Sequence, residues 1–342
     1  MEEKDSHQIN RRKFLKVCGS AALGAGIAGI AGKKVWDMVA HPDKVFFDAK
    51  STGSSATTGQ KAMASPFRRV FAFETAQKIT ALEITPEAGI VLGGEKELFF
   101  YGMDGVLHHR LAVSDIIRDL AVHRQSLYVL HPAGIAVYSL GGERLTQWQA
   151  CSEEADYCSL TVMDQGVFVT DAGAKNICHY RLDGSLVRFI GSPVGFVVPS
   201  YSFGITHLED HIFCSNPGRH RVEEYDSEGN FVGSFGKRGL EAGHFCGCCN
   251  PVHLVATPTG ELLTSEKGLP RISCYHRDGT FRSILLDQQA LGGGHEAYDL
   301  RRHNGRLIVA GERKVSVFQY DSNQDLLSLC GSCTLNCPLK TV

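Results

Sequence analysis

Two regimes of hydrophobic patterning divide the chain. Residues 17–31 are weakly apolar and rich in Ala and Gly, without the strongly apolar length of roughly 20 residues that a spanning helix needs. Beyond Pro66, short apolar runs are cut at regular intervals by turn residues, and no long segment keeps a 3.6-residue period, which argues against an α/β architecture. Val222–Tyr225 followed by Phe231–Gly236 reads as a pair of outer strands joined by a tight turn, and Val252–Thr257 with Glu261–Ser265 reads as the next inner pair.

The turns carry the period. Asp104-Gly105, Gly141-Gly142, Asp183-Gly184, Glu228-Gly229 and Asp278-Gly279, with Asp321-Ser322 as a degenerate sixth, are residue pairs that tolerate positive φ. They recur roughly every 40–50 residues, the length of a four-stranded blade. The predicted fold is all-β: a six-bladed β-propeller over residues 67–330, with Leu326–Leu329 as the outer strand of the sixth blade. Stacking around a channel buries both faces of each blade, which no blade achieves alone.

One blade junction is more specific. Phe235-Gly236-Lys237-Arg238-Gly239-Leu240-Glu241-Ala242-Gly243-His244-Phe245 has the spacing F-G-x-x-G-x-x-x-G-x-F and resembles the NHL repeat. That resemblance implies a propeller whose members include binding modules, lyases and exported proteins; fold alone leaves the activity open.

At the amino terminus, Arg11-Arg12-Lys13-Phe14-Leu15-Lys16 resembles the twin-arginine export signal, with Arg11, Arg12, Phe14 and Leu15 as the matching positions. The implied organisation is a helical signal segment over 1–40, a Ser/Thr/Gly-rich linker over 41–66, the propeller, and a Cys-rich tail over 331–342. The resemblance further implies the translocase as a partner, export in the folded state, often with a cofactor inserted in the cytoplasm, and residence in the periplasm or on the outer face of the cytoplasmic membrane. Gly29-Ile30-Ala31 is a tolerable cleavage site; if uncut, the segment is the only membrane anchor.

Composition adds limits. With 35 basic and 37 acidic side chains, the chain lacks the basic excess of a nucleic-acid binder. Beyond Pro66 there is no G-x-S-x-G, P-loop, dinucleotide fingerprint or H-E-x-x-H. The twelve cysteines are the main candidate chemistry. Placed on the blade scheme, Cys151, Cys158, Cys246, Cys248, Cys249, Cys330, Cys333 and Cys337 fall on one face, in or beside connections between blades. Cys178, Cys214 and Cys274 fall within strands as packing residues, and Cys18 lies in the leader.

Cys330-x-x-Cys333-x-x-x-Cys337-Pro338 resembles the last three cysteines and the proline of the bacterial ferredoxin motif, with Leu327 where the first cysteine would stand. The leading expectation is therefore an iron–sulfur cluster, of the 4Fe–4S kind, completed by the Cys246/Cys248/Cys249 loop, with Cys151 and Cys158 as further candidates, in an electron-transfer or accessory protein with a redox or membrane-complex partner. Disulfides in a non-catalytic binding propeller are the alternative for an exported chain. A Zn²⁺ site with His244 or His253 is another, and a lyase or hydrolase using channel histidines and arginines a third. His207, His211 and His220 are read as a blade-four group, His108-His109 as solvated surface, and Glu266–Arg271 as a salt-bridged turn or an anion site.

Overall fold

The computed structural model describes residues 65, 67–200 and 202–320. The leader, most of the linker, the turn at Asp321-Ser322, the strand expected at Leu326–Leu329 and the tail cysteines lie outside the described residues. What is described is a six-bladed β-propeller, each blade a four-stranded antiparallel sheet.

Five blades are read straight along the chain. Blade one holds β2 (Ala81–Ile84), β3 (Ile90–Gly93), β4 (Glu97–Tyr101) and β5 (Leu107–Ala112); blade two holds β6 (Asp119–His123), β7 (Ser126–His131), β8 (Gly134–Ser139) and β9 (Arg144–Gln149). Blade three comprises β10 (Tyr157–Met163), β11 (Gly166–Asp171), β12 (Asn176–Tyr180) and β13 (Leu186–Ile190). Blade four comprises β14 (Ile205–Leu208), β15 (His211–Asn216), β16 (Arg221–Asp226) and β17 (Phe231–Phe235); blade five comprises β18 (His253–Ala256), β19 (Glu261–Glu266), β20 (Arg271–His276) and β21 (Phe281–Leu286). A one-turn helix, α1 (Gln288–Leu291), leads into the last blade; Asp287 caps its start through a bond from the Ala290 amide.

The sixth blade corrects the sequence reading. Its strands β22 (Asp299–His303), β23 (Arg306–Ala310) and β24 (Lys314–Tyr320) are completed by β1 (Phe67–Glu74), which fills the outer position with Phe67 opposite Tyr320 and Glu74 opposite Lys314. The place assigned to Leu326–Leu329 is thus taken by the amino-terminal strand. Closing the ring by pairing the first and last described strands removes the seam that a purely sequential arrangement would leave between the first and last blades.

Burial follows the blade position. The second strands β3 and β11 are buried along their whole length, because neighbouring blades cover both faces, whereas the outer strand β5 exposes most of its residues. The hydrophobic clusters accordingly lie at blade seams: Tyr128, Trp148, Tyr157, Val169, Cys178 and Tyr180 fill the one between blades two and three.

At Gly105, Gly184, Gly229 and Gly279 the hairpin glycine has a second duty beside its dihedral. Gly184 has φ +88°, and a Cβ there would stand 2.5 Å from the Trp148 indole on the outer strand of the preceding blade. Gly279 meets Phe235 in the same way, at 2.3 Å. The Asp-Gly turn is therefore the socket for the preceding blade's outermost apolar side chain. Gly184→Ala is expected to lower stability by roughly 2 kcal/mol through combined strain and overpacking, visible as a lower midpoint in thermal melts. In the NHL-like junction, Gly236 has φ +95° and a Cβ would stand 2.4 Å from the fully buried Phe245 ring, which explains the spacing of that motif. Among the described residues, no helix is long and apolar enough to cross a membrane.

Candidate functional site in the central channel

First strands line the channel, so their polar residues are the ones presented to it. Asp119 and Asp299 open β6 and β22 at equivalent positions, each followed by a buried leucine. Each carboxylate caps its own strand and reaches the next blade. Asp119 accepts from the amides of Leu120 at 2.8 Å and Leu160 at 3.0 Å; Asp299 accepts from Leu300 at 2.8 Å and Leu82 at 2.8 Å. Amides that face the channel are thereby satisfied where no ladder partner exists.

Arg301 sits among these groups. Its guanidinium lies 2.9 Å from Asp299, 3.1 Å from Glu83 of β2 and 3.5 Å from Asp119, and it also donates to the carbonyls of Leu300 at 2.8 Å and Leu120 at 3.2 Å. Burial works against its charge, but Asp299, Glu83 and Asp119 outweigh that penalty and hold the guanidinium firmly protonated. One cation does not balance three carboxylates. Burial pushes the Glu83 and Asp119 carboxyls above the ordinary carboxylate range, with Arg301 acting in the opposite direction. The cluster is short of positive charge.

Around it lies a cavity of about 350 Å³, lined among others by Ser159, Thr161, His207 and His253. A second cavity of about 270 Å³, bordered by Lys78, Thr80, Glu296 and Glu312, shares His253 and Asp299 with the first. His253 stands at their junction with Nδ1 3.9 Å from Asp299. His207 Nδ1 lies 2.7 Å from Thr161 Oγ1, and burial, with His123 nearby, lowers its pKa, so it is held neutral. The expected blade-four histidine group separates. His207 faces the channel, His211 pairs with Glu224 at 2.8 Å, and His220 contacts the Gly247 carbonyl at 2.5 Å.

The cysteines also separate. Cys246, Cys248 and Cys249 share the loop between blades four and five, where Asn250 ties the Cys246 carbonyl at 2.7 Å to the Lys267 turn at 2.8 Å. Cys248 and Cys249 sulfurs are 2.9 Å apart, and this contact, followed by burial, raises the Cys248 pKa. The three sulfurs of this loop do not gather with His244 or His253: among the described residues, the metal-ligating groups that close to within 4.8 Å of one another are Cys151, Asp171 and Cys178. Cys151 and Cys158, read together from the sequence, belong to different seams. Cys151 packs with Cys178 between blades two and three, and Cys158 packs beside the cluster holding Cys214 between blades three and four. Burial pushes the Cys158 thiol up to about 12. Cys330, Cys333 and Cys337, like the signal residues Arg11, Arg12, Phe14 and Leu15, lie outside the described residues.

The Glu266–Arg271 turn is an internal ion pair of 2.7 Å between two buried side chains, with Arg271 further bonded to the His244 carbonyl. It is structural rather than an anion site.

No protein-family model matches the chain, and none matches the NHL-like junction. No curated protein matches it either. Solved structures share the fold at low identity. A virginiamycin B lyase from Staphylococcus aureus aligns over 74% of this chain and 99% of its own, with 11% identity and a TM-score of 0.52. A catalytically inactive histidine-to-alanine variant of that lyase with quinupristin gives a TM-score of 0.54 at 11% identity, over the same shares of the two chains. A protein of unknown function from Bacteroides thetaiotaomicron aligns over 74% of each chain, with 10% identity and a TM-score of 0.51. These likenesses establish the six-bladed architecture.

Proposed function

We propose that this chain is an exported propeller that binds a small, positively charged molecule in its central channel, with His253 moving a proton on it in a lyase-type reaction. The observation that carries the reading is the imbalance at Arg301. Glu83, Asp119 and Asp299 converge on one guanidinium at the wall of a cavity of about 350 Å³. A ligand ammonium or amidinium supplies the missing charge. A pocket with a few convergent polar groups and shifted carboxyls has the physical character of a ligand site. His253, beside Asp299 and open to both cavities, is the base within reach of such a ligand. The lyase likeness in fold is compatible with this chemistry, and the twin-arginine-like leader supports a periplasmic location.

The test is a panel of primary amines and amidines, each matched to a carboxylate of the same carbon skeleton. Cationic members are expected to raise the melting midpoint and the anionic members to leave it unchanged. Glu83→Gln, which keeps a hydrogen-bond acceptor for Arg301 but removes one charge, is expected to weaken binding about tenfold, about 1.4 kcal/mol. His253→Ala is expected to abolish turnover of a ligand it still binds. Equal responses to both charge classes, or an unaltered Glu83→Gln titration, overturn the reading.

The rival is the iron–sulfur propeller with Cys246, Cys248, Cys249 and the tail cysteines as ligands. It rests on the ferredoxin-like spacing. Stoichiometric iron and acid-labile sulfide in anaerobically purified protein would establish it.

A further inference from the structure

A second site is built at the seam of blades two and three, away from the channel cluster. Cys151 lies in the connection between β9 and β10, Cys178 in the middle of β12, and Asp171 at the end of β11. Their ligating atoms lie within 4.8 Å of one another; Cys178 and Asp171 are fully buried and Cys151 is half-buried. The Asp171 carboxylate is used unevenly. Oδ1 accepts from the amides of Asp156 at 2.9 Å, Gly173 at 2.8 Å and Ala174 at 3.3 Å, while the buried Oδ2 has no hydrogen-bond partner. An orphaned oxygen on a fully buried carboxylate costs several kcal/mol unless something of opposite charge meets it.

The sulfur geometry says what fits. Cys151 and Cys178 Sγ are 3.6 Å apart. Two thiolates bound to one Zn²⁺ at about 2.3 Å in a tetrahedral arrangement stand about 3.8 Å apart, whereas a disulfide closes to about 2.0 Å. The same measure sets Cys248 and Cys249 apart, since at 2.9 Å they are too close to be two ligands of one tetrahedral ion. A disulfide between Cys151 and Cys178 would leave the Asp171 oxygen unmet, but a cation meets all three groups. Gly173 shows how firmly the surrounding loops are fitted: a Cβ there would fall 2.0 Å from the Glu154 carbonyl.

We infer that Cys151, Asp171 and Cys178 form a binding site for a borderline-soft divalent cation of the Zn²⁺ class. Binding deprotonates the two thiols, so each ion taken up releases two protons, and the two thiolates and one carboxylate hold the ion with a fourth position left open. The half-buried Cys151 gives the way in. The site pins the connection between blades two and three to the two middle strands of blade three.

The experiment uses the full chain with Cys246, Cys248, Cys249, Cys330, Cys333 and Cys337 replaced by Ser, stripped of metal with a chelator under reducing conditions. Titration with Co²⁺, followed by its thiolate-to-cobalt absorption, is expected to end at one ion per chain, with Zn²⁺ displacing it. Asp171→Asn is expected to weaken Co²⁺ binding at least about tenfold while leaving the metal-free melting midpoint unchanged or higher. Cys151→Ser, at a half-buried position, is expected to roughly halve the thiolate absorption. No saturable binding, binding indifferent to both substitutions, or a Cys151–Cys178 disulfide in native protein alkylated at lysis would overturn the assignment.

Discussion

Arg301→Met is expected to destabilise the propeller by about 3–5 kcal/mol, the usual consequence of removing one partner from a buried charge group. The substitution keeps the length and apolar stem of the side chain but leaves Glu83, Asp119 and Asp299 facing one another without their cation. It also strips the Leu120 and Leu300 carbonyls of a donor. For a domain of this size, each kcal/mol moves the melting midpoint by roughly 2–4 °C, so a fall on the order of 10 °C is expected. The pH dependence has a definite sign. Glu83 and Asp119 already titrate above their unfolded values because of burial. Removing Arg301 takes away the main influence opposing that shift, so both rise further. Groups with raised folded pKa values favour the native state below the unfolded carboxyl pKa and lose that contribution as pH rises through the folded value. The gap between variant and native protein is therefore expected to narrow as the melts are moved from neutral pH towards pH 5. A gap that is constant with pH would mean that the loss comes from packing.

Removal of β1 is expected to have the larger effect on cooperativity. A chain beginning at Ala76 lacks the strand that pairs with β24, whereas one beginning at Met63 retains it. Phe67 is buried and Phe71 and Phe73 are half-buried on β1, together about 4–6 kcal/mol of apolar burial. That sum rivals a whole domain's net stability of about 5–15 kcal/mol. Its loss also bares an edge on β24 open to pairing with other chains. Calorimetry is expected to show one sharp transition for the Met63 chain, at the midpoint of the full chain. For the Ala76 chain it is expected to show a broad transition or none, with aggregation. An Ala76 chain melting within a few degrees of the full chain would show that the ring does not depend on this closure.

These two features mark where the sequence is mute. Asp183-Gly184 and its counterparts are legible because a two-residue turn states its own dihedral requirement. The closing strand is not, since the partners Phe67 and Tyr320 are separated by the whole propeller and no local pattern records their pairing. An apolar run at Leu326–Leu329 looked equally suitable for the outer place. The channel cluster is hidden for a related reason: Glu83, Asp119 and Arg301 come from three first strands that only ring closure brings together. A signal was available in the repeated Asp-Leu that opens two of those strands at Asp119 and Asp299, charged where a first strand has no reason to be. The partners of the cysteines are not legible in the sequence either. Cys151 meets Cys178, read as a packing residue, because the connection from blade two folds back over the middle of blade three.

The channel reading is tested most directly by locating a ligand. Crystals soaked in a bromine-labelled amidine, with data collected at the bromine edge, are expected to show an anomalous peak in the central cavity, with the amidinium against Glu83, Asp119 or Asp299. The peak is expected to be markedly weaker in Glu83→Gln crystals soaked at the same concentration, chosen near the native Kd, as a tenfold loss of affinity requires. An amidine bound only on the outer surface, or one retained unchanged by Glu83→Gln, would contradict the account.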